Sequence, residues 1–132
     1  MRLTERELTV ALEGAAKSVL AAKDKDVRRG RRTADDAWAA LSRYQRYQML
    51  DGLGAQVLGV LVALPDVEVE VGTRPTFSDE QVAAAVRERT GESERGLRAK
   101  VLLKARVALV QLTLSHVPPR ADPDALIVPD HL

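Results

Sequence analysis

Apolar residues recur at helical spacing from the beginning of the chain. Between Leu8 and Ala22 an apolar residue stands at every third or fourth position, which is one face of a helix. Thr4 and Glu7 precede this stretch at the spacing of a capping box, in which each side chain accepts a hydrogen bond from the other residue's backbone N–H. The pattern predicts a first helix that ends near residue 23.

A second helix is predicted after Thr33, which stands three residues before Asp36 and is a suitable N-cap. Gly52 and Gly54 follow further along, and each glycine costs a helix about 1 kcal/mol relative to alanine. We therefore expect a kink or a break there, followed by a buried helix over residues 55–64. Before the glycines, one face of the predicted helix carries Trp38, Leu41, Tyr44 and Gln48.

A third clear helix begins after Ser78, which has Gln81 three residues later, and runs to about Arg89. Together with the start of the next helix, the segment 79–100 has the outline of a helix-turn-helix motif. Its five basic and five acidic residues cancel, and the second helix soon becomes strongly apolar. Two packed core helices joined by a turn explain the pattern with fewer assumptions.

The last predicted helix runs from about residue 94 or 96 to Ser115 and is apolar around most of its circumference. Such a helix is buried from several sides, either within one chain or across a dimer. A strand over residues 107–117 stays an alternative, because short apolar runs fit both periods. We expect a homo-oligomer, with a dimer favoured, that uses this helix and an apolar tripeptide near the C-terminus: Leu103, Val107, Val110, Leu114, Leu126, Ile127 and Val128.

Residues 67–71 alternate valine and glutamate, which is the period of a half-buried strand. This strand-like arm has no obvious partner, so the tail or another subunit would have to supply one. Four of the six prolines follow residue 117, which predicts an extended tail over 118–132 beyond a single helical domain over 1–117. The predicted fold class is all-α, with four to five helices packed around the apolar C-terminal helix.

Composition limits the possible functions. The 132 residues fit one domain, and 20 basic against 19 acidic side chains give a net charge of +1, whereas a dedicated nucleic-acid binder usually has a clear basic excess. Cysteine is absent, which excludes disulfides, thiol catalysis and Cys-ligated metals. The most apolar run, residues 52–64, is shorter than the roughly 20 residues of a spanning helix. We expect a cytoplasmic protein without membrane contact.

Groups suited to catalysis or to metal binding are few. The only histidines are His116, at the predicted end of the last helix, and His131. Neither has a second histidine or a carboxylate at a recognised metal-ligand spacing, and His116 is better explained as a C-terminal capping residue. No cofactor and no metal are predicted, although an enzyme assembled from residues distant in sequence stays possible.

The strongest candidate site is a basic segment from Lys23 to Arg46, where eight basic and four acidic residues give a local charge of 8 − 4 = +4. Arginine forks pair with phosphate or carboxylate, and the neighbouring Tyr44 and Tyr47 could stack on bases. An alternative is a solvated loop whose arginines pair with aspartates of the same segment. The candidate residues for binding a partner or an anion are Arg28, Arg29, Arg31, Arg32, Arg43 and Arg46.

These patterns favour a non-enzymatic helical module that binds another protein, an acidic one in particular, or its own copy. The alternative function is a nucleic-acid-associated regulator that uses the basic region 28–46 and the segment 79–100. The two differ in salt dependence, because phosphate contacts release counterions and make binding fall steeply with salt.

Overall fold

The computed structural model describes residues 1–90 and 96–120. Helices and irregular segments account for all of these residues, and none of them forms a strand. The predicted all-α class is therefore confirmed, with six helices in the described ranges where four to five were expected. The helices are α1 (Glu5–Lys23), α2 (Lys25–Arg28), α3 (Ala34–Ala40), α4 (Arg43–Ala63), α5 (Asp79–Thr90) and α6 (Leu97–Ser115).

Reciprocal side-chain caps set where the helices begin. In α1 the backbone N–H of Glu7 donates to Thr4 Oγ1 over 3.1 Å, and the N–H of Thr4 donates to Glu7 Oε1 over 3.0 Å. The same exchange joins Thr33 to Asp36 before α3 and Ser78 to Gln81 before α5. The predicted starts of these three helices are confirmed, and α6 is helical through Ser115, so the strand alternative for this segment is wrong.

The middle of the chain differs from its prediction. The helix after Thr33 ends at Ala40, and a capping box between Ser42 and Gln45 starts the new helix α4. Of the kink or break expected at Gly52 and Gly54, the break is wrong, because α4 continues through both glycines to Ala63. A kink there stays a prediction. Burial of one face of α4 outweighs a glycine penalty of about 1 kcal/mol each.

The core lies where α1, α4, α5 and α6 pack against one another. The fully buried apolar residues of α1 are small: Ala11, Ala15 and Ala16 are each at most 1 % exposed, so its backbone lies close to its neighbours. Leu8, Leu12 and Leu20 of α1 pack against the core while partly exposed. The buried aliphatic filling comes from the other three helices, through Val57, Val60, Leu61, Val82, Val86, Val110 and Leu114. Interiors of this density tolerate little added volume.

α6 ends against α1 through one close contact. His116 is the C-cap of α6, as the sequence predicts, and its Nε2 lies 3.0 Å from Ser18 Oγ of α1. A Cβ built on Gly14 would lie 2.6 Å from the His116 ring, too close for any real side chain. Glycine at position 14 therefore permits this approach of the two helices.

The prediction of a strand-like arm at 67–71 is wrong, because these residues form no strand. The N–H of Thr73 donates to the carbonyl of Glu70 and closes a turn, with Gly72 at a φ of +82°. Arg120 pairs with the last two residues of this turn: it accepts from the N–H of Gly72 and donates to the carbonyl of Thr73. Gly72 and Thr73 thus lie opposite the single residue Arg120, and the first of the two is glycine. This is the arrangement of a G1 β-bulge.

Arg120 also fixes the chain against α1. Its Nε lies 3.4 Å from Glu7 Oε2, an ion-pair distance at which Nε makes no hydrogen bond. Arg74 of the same connection donates to the carbonyl of Ser115 at the end of α6. The connection between α4 and α5 thus joins α1 to the C-terminal end of α6. The rest of the predicted tail, residues 121–132, lies outside the described residues.

We predict opposite effects of alanine at two helical glycines. Gly14→Ala lowers the free energy of unfolding by about 1–3 kcal/mol, since the new methyl group overlaps the His116 ring. Gly52→Ala is the matched control: its Cβ meets nothing within 4 Å, so helix propensity raises stability by about 0.5–1 kcal/mol. Urea denaturation measures both, and equal stabilisation by the two changes would contradict the α1–α6 contact.

Gly72 allows a conformational test of the turn that holds Arg120. Because its Cβ position is open and its φ is positive, Gly72→Ala costs only backbone strain, about 1–2 kcal/mol of unfolding free energy. Asparagine tolerates this region, so Gly72→Asn recovers part of the loss. Thermal unfolding that is unchanged in both variants would show that the turn does not contribute to the cooperative fold.

Candidate functional site

The corner between α3 and α4 positions the candidate site, and Arg46 holds the corner. The Arg46 guanidinium donates to the carbonyls of Trp38, Ala39 and Leu41 over 3.4, 3.5 and 3.1 Å. These carbonyls belong to the end of α3, where backbone acceptors lack helical partners. Arg46, a candidate binding residue, therefore caps α3 and fixes the first turn of α4.

Two more candidate arginines pair within their own loop. Arg32 donates to Asp24, and Arg31 lies 3.8 Å from Asp26. Asp24 also accepts from the backbone N–H groups of Asp26 and Val27, so it caps α2. The hydrogen bond from Arg32 holds the pKa of the Asp24 carboxyl below its ordinary value, and the Val27 N–H acts in the same direction. These contacts match the solvated-loop interpretation of this part of the segment.

The aspartates at the start of α3 have other partners. Lys17 of α1 lies 3.0 Å from Asp35 and 3.3 Å from Glu13, and the hydrogen bond to Asp35 raises the Lys17 pKa. Asp36 serves as the reciprocal cap of Thr33. Neither carboxylate forms an ion pair with a described arginine of the basic segment.

Three candidate arginines are exposed, and their side chains make no hydrogen bond or ion pair within residues 1–90 and 96–120: Arg28, Arg29 and Arg43. Arg43 begins α4, and Tyr47 stands one helical turn later on a neighbouring position. Tyr44 and Tyr47 are 67 % and 62 % exposed, which is unusual for side chains with so much apolar area. We call Arg43, Tyr44 and Tyr47 the arginine–tyrosine surface.

The electrostatics of this surface favour an anion. The first turns of α1, α3 and α5 each carry acidic residues, whereas the first turn of α4 carries none. Arg43 places a cation at the positive end of the α4 dipole, which is unfavourable within the isolated chain. A carboxylate or phosphate that bound here would be attracted by both the guanidinium and the helix end.

The residues predicted for self-association have a different environment from the one expected. Val107, Val110 and Leu114 are 9 %, 0 % and 3 % exposed, so helices of the same chain cover them. Leu103 is half-buried, and Leu126, Ile127 and Val128 lie outside the described residues. The exposed apolar residues of α6 are others, Leu97, Val101 and Leu102. Self-association stays a prediction.

Sequence reasoning missed that the first half of α6 is exposed. Its signal was present: four basic residues alternate with the apolar ones between Arg98 and Arg106. Lysine and arginine are almost never fully buried without partners, so this half could not enter a core. The helix-turn-helix outline is represented by α5 and α6, which pack against each other, while the connection 91–95 lies outside the described residues.

Among the described residues, one groove and one Ser–His pair are the features to compare with a catalytic site. An open apolar groove of about 280 Å³ lies between α1, α4 and α6, lined by Ala16, Val19, Gln48, Met49, Gly52, Leu53, Gln56 and Leu109. It contains no ionisable group, so it lacks an acid or a base. Ser18 and His116 form a pair, but Ser18 lies in the middle of α1, where helical bonds occupy the backbone donors an oxyanion would need.

Searches for other site types gave negative results within the described ranges. No three ligating side chains there gather into a group that could hold a metal ion. No helix among these residues combines the length and the apolar composition needed to cross a bilayer. No family model, curated protein or solved structure matches the chain.

The paired loop predicts a pH-dependent stability. Because Asp24 has a lowered pKa in the fold, its contribution is present above its unfolded pKa of ~4 and is lost as the pH falls through the folded value. Arg32→Gln should therefore lower the melting temperature at pH 7, and this difference should shrink at pH values well below ~4. Arg29→Gln changes an exposed side chain without a described partner and is the control. It should leave the melting temperature unchanged both at pH 7 and in acid. A difference that persists unchanged in acid would contradict the role of the Asp24 pair.

Proposed function

We propose that the chain is a non-enzymatic helical module that binds an acidic segment of a partner protein through the arginine–tyrosine surface. The observation that carries this proposal is the exposure of Tyr44 and Tyr47, 67 % and 62 %, beside an unpaired Arg43. Neither tyrosine belongs to the core cluster of the chain.

Tyrosine and arginine are the residue types that contribute most to protein interfaces. Tyrosine presents a large, rigid area with only two side-chain torsions, and both types are enriched among residues whose truncation weakens binding strongly. Arg43 adds a planar fork that can bind a carboxylate through two parallel hydrogen bonds. Rigid placement by the α3–α4 corner lowers the entropy lost on binding.

The exposed arginines indicate that the partner is acidic. Arg28 and Arg29 add two exposed cations to the loop before α3, and none of the described carboxylates pairs with them. Complementary charge speeds association and selects between partners more than it raises affinity. An acidic peptide with an apolar or aromatic residue fits both Arg43 and the tyrosine rings.

A nucleic acid is the alternative ligand for the same residues, since bases stack on tyrosine and phosphates pair with arginine. The net charge of +1 favours the acidic protein segment, because nucleic-acid binders usually carry a larger basic excess. The two ligands remain distinguishable by experiment, as phosphate contacts produce a steep linear fall of affinity on a log–log salt plot.

The test is a selection of random peptides on the full-length chain, followed by affinity measurements on variants. We predict that the selected peptides are enriched in Asp and Glu and that Tyr47→Ala weakens them about 30-fold, the effect of a strong interface residue. Arg43→Gln should weaken them as well. Arg87→Gln, at an exposed position of α5, is the matched control and should leave binding unchanged.

Two results would contradict the proposal. Selected peptides without acidic enrichment, or peptides insensitive to Tyr47→Ala, would place binding elsewhere. The nucleic-acid alternative would be favoured if a single-stranded or duplex probe bound tightly at low salt. This binding would have to be lost in Tyr47→Ala and Arg43→Gln and to fall steeply with salt concentration.

A further inference from the structure

The N-terminal half of α6 contributes no fully buried side chain to the core, which it contacts through the half-buried Leu103. The segment Leu97–Arg106 contains no buried residue, and the first buried position of the helix is Val107. Nevertheless the segment is rich in large apolar side chains, of which Leu97, Val101 and Leu102 are 79 %, 58 % and 52 % exposed. An apolar group of this kind on the surface of a small domain marks a binding site for another segment.

The same half-helix is strongly basic. Four cations and no carboxylate occur between Leu97 and Arg106, namely Arg98, Lys100, Lys104 and Arg106. None of them forms an ion pair with any carboxylate in the described ranges. Gly96 at the N-cap supplies no side-chain acceptor, so the positive helix end adds to these charges. The complementary ligand is therefore acidic and apolar at once.

The chain itself contains one segment with this chemistry, after Arg120. Residues 121–132 carry three aspartates, no lysine or arginine, and the apolar run 126–128. The connection 91–95 is nearer in sequence but has no large apolar residue that could cover Leu97 or Val101. Charge complementarity and apolar content thus select the C-terminal segment.

The reach of the chain agrees with this pairing. Arg120 is fixed by Gly72 and Thr73, in a connection that bonds to the end of α6 at Ser115. Val101 lies fourteen residues before Ser115, about 21 Å along the helix axis at 1.5 Å per residue. Seven residues from Arg120 to Ile127 span up to about 23–25 Å when extended. The apolar run can therefore reach the basic half of α6 of the same molecule.

We propose that residues 122–132 bind to the exposed half-helix Leu97–Arg106 of the same chain. The aspartates lie against the cations of α6, and the apolar run covers Val101 and Leu102. This intramolecular contact is separate from the arginine–tyrosine surface and does not depend on the function proposed for that surface.

The absence of cysteine makes a direct test possible. Leu102→Cys and Ile127→Cys are combined in the full-length chain, and disulfide formation is followed on non-reducing gels and by mass spectrometry. Because docking raises the effective concentration of one thiol near the other, we expect an intramolecular bond that forms about tenfold faster than in a control with undirected contact.

The control keeps the same cysteine pair and changes Asp122, Asp124 and Asp130 to asparagine. This triple variant preserves the length and reach of the segment but removes the charge of its aspartates. If the segment docks, disulfide formation is slower in the variant. If the contact is undirected, the rate of disulfide formation is unchanged. High salt should slow the parent pair in the same direction. Circular dichroism verifies that the exposed cysteine positions leave the fold intact.

Each remaining outcome overturns the proposal. Equal rates with and without the aspartates would show undirected contact. Disulfide-linked dimers at dilute concentration would place the segment on a second copy, and the absence of any bond would place it elsewhere.

Discussion

The structure depends on one constraint: α4 and α6 are apolar on more of their circumference than a small bundle can cover. Each helix buries one face, with Val57 and Leu61 on α4 and Val110 and Leu114 on α6. The opposite faces keep apolar residues in solvent, such as Val62, which is 74 % exposed. Exposed apolar area of this kind is a cost unless something binds it, and both proposed binding surfaces lie on these two helices.

Small residues on α1 allow the neighbouring helices to pack close to its backbone. Alanines carry its buried face, and Gly14 admits the His116 ring, so α1 fits closely against the end of α6. The turn at Gly72 and the pairing of Arg120 then hold the chain beside α1. These contacts fix α1 against the ends of the neighbouring helices.

Local signals were the predictable part of the fold. Capping boxes at Thr4, Thr33 and Ser78 gave the helix starts, because a cap involves residues only three positions apart. The continuity of α4 through Gly52 was not predictable, since tertiary burial there outweighs propensity. The same holds for the site: Arg43 and Arg46 are alike in sequence, and only the α3–α4 corner makes one a cap and leaves the other exposed.

Amide hydrogen exchange in α6, followed over a range of protein concentrations, tests most directly whether a single chain forms this core. We predict that the amides of Val107 to Leu114 exchange only through global unfolding and that their protection is the same at low and high concentration. Protection of these amides that rises with protein concentration would contradict the account, because a second copy would then be burying them.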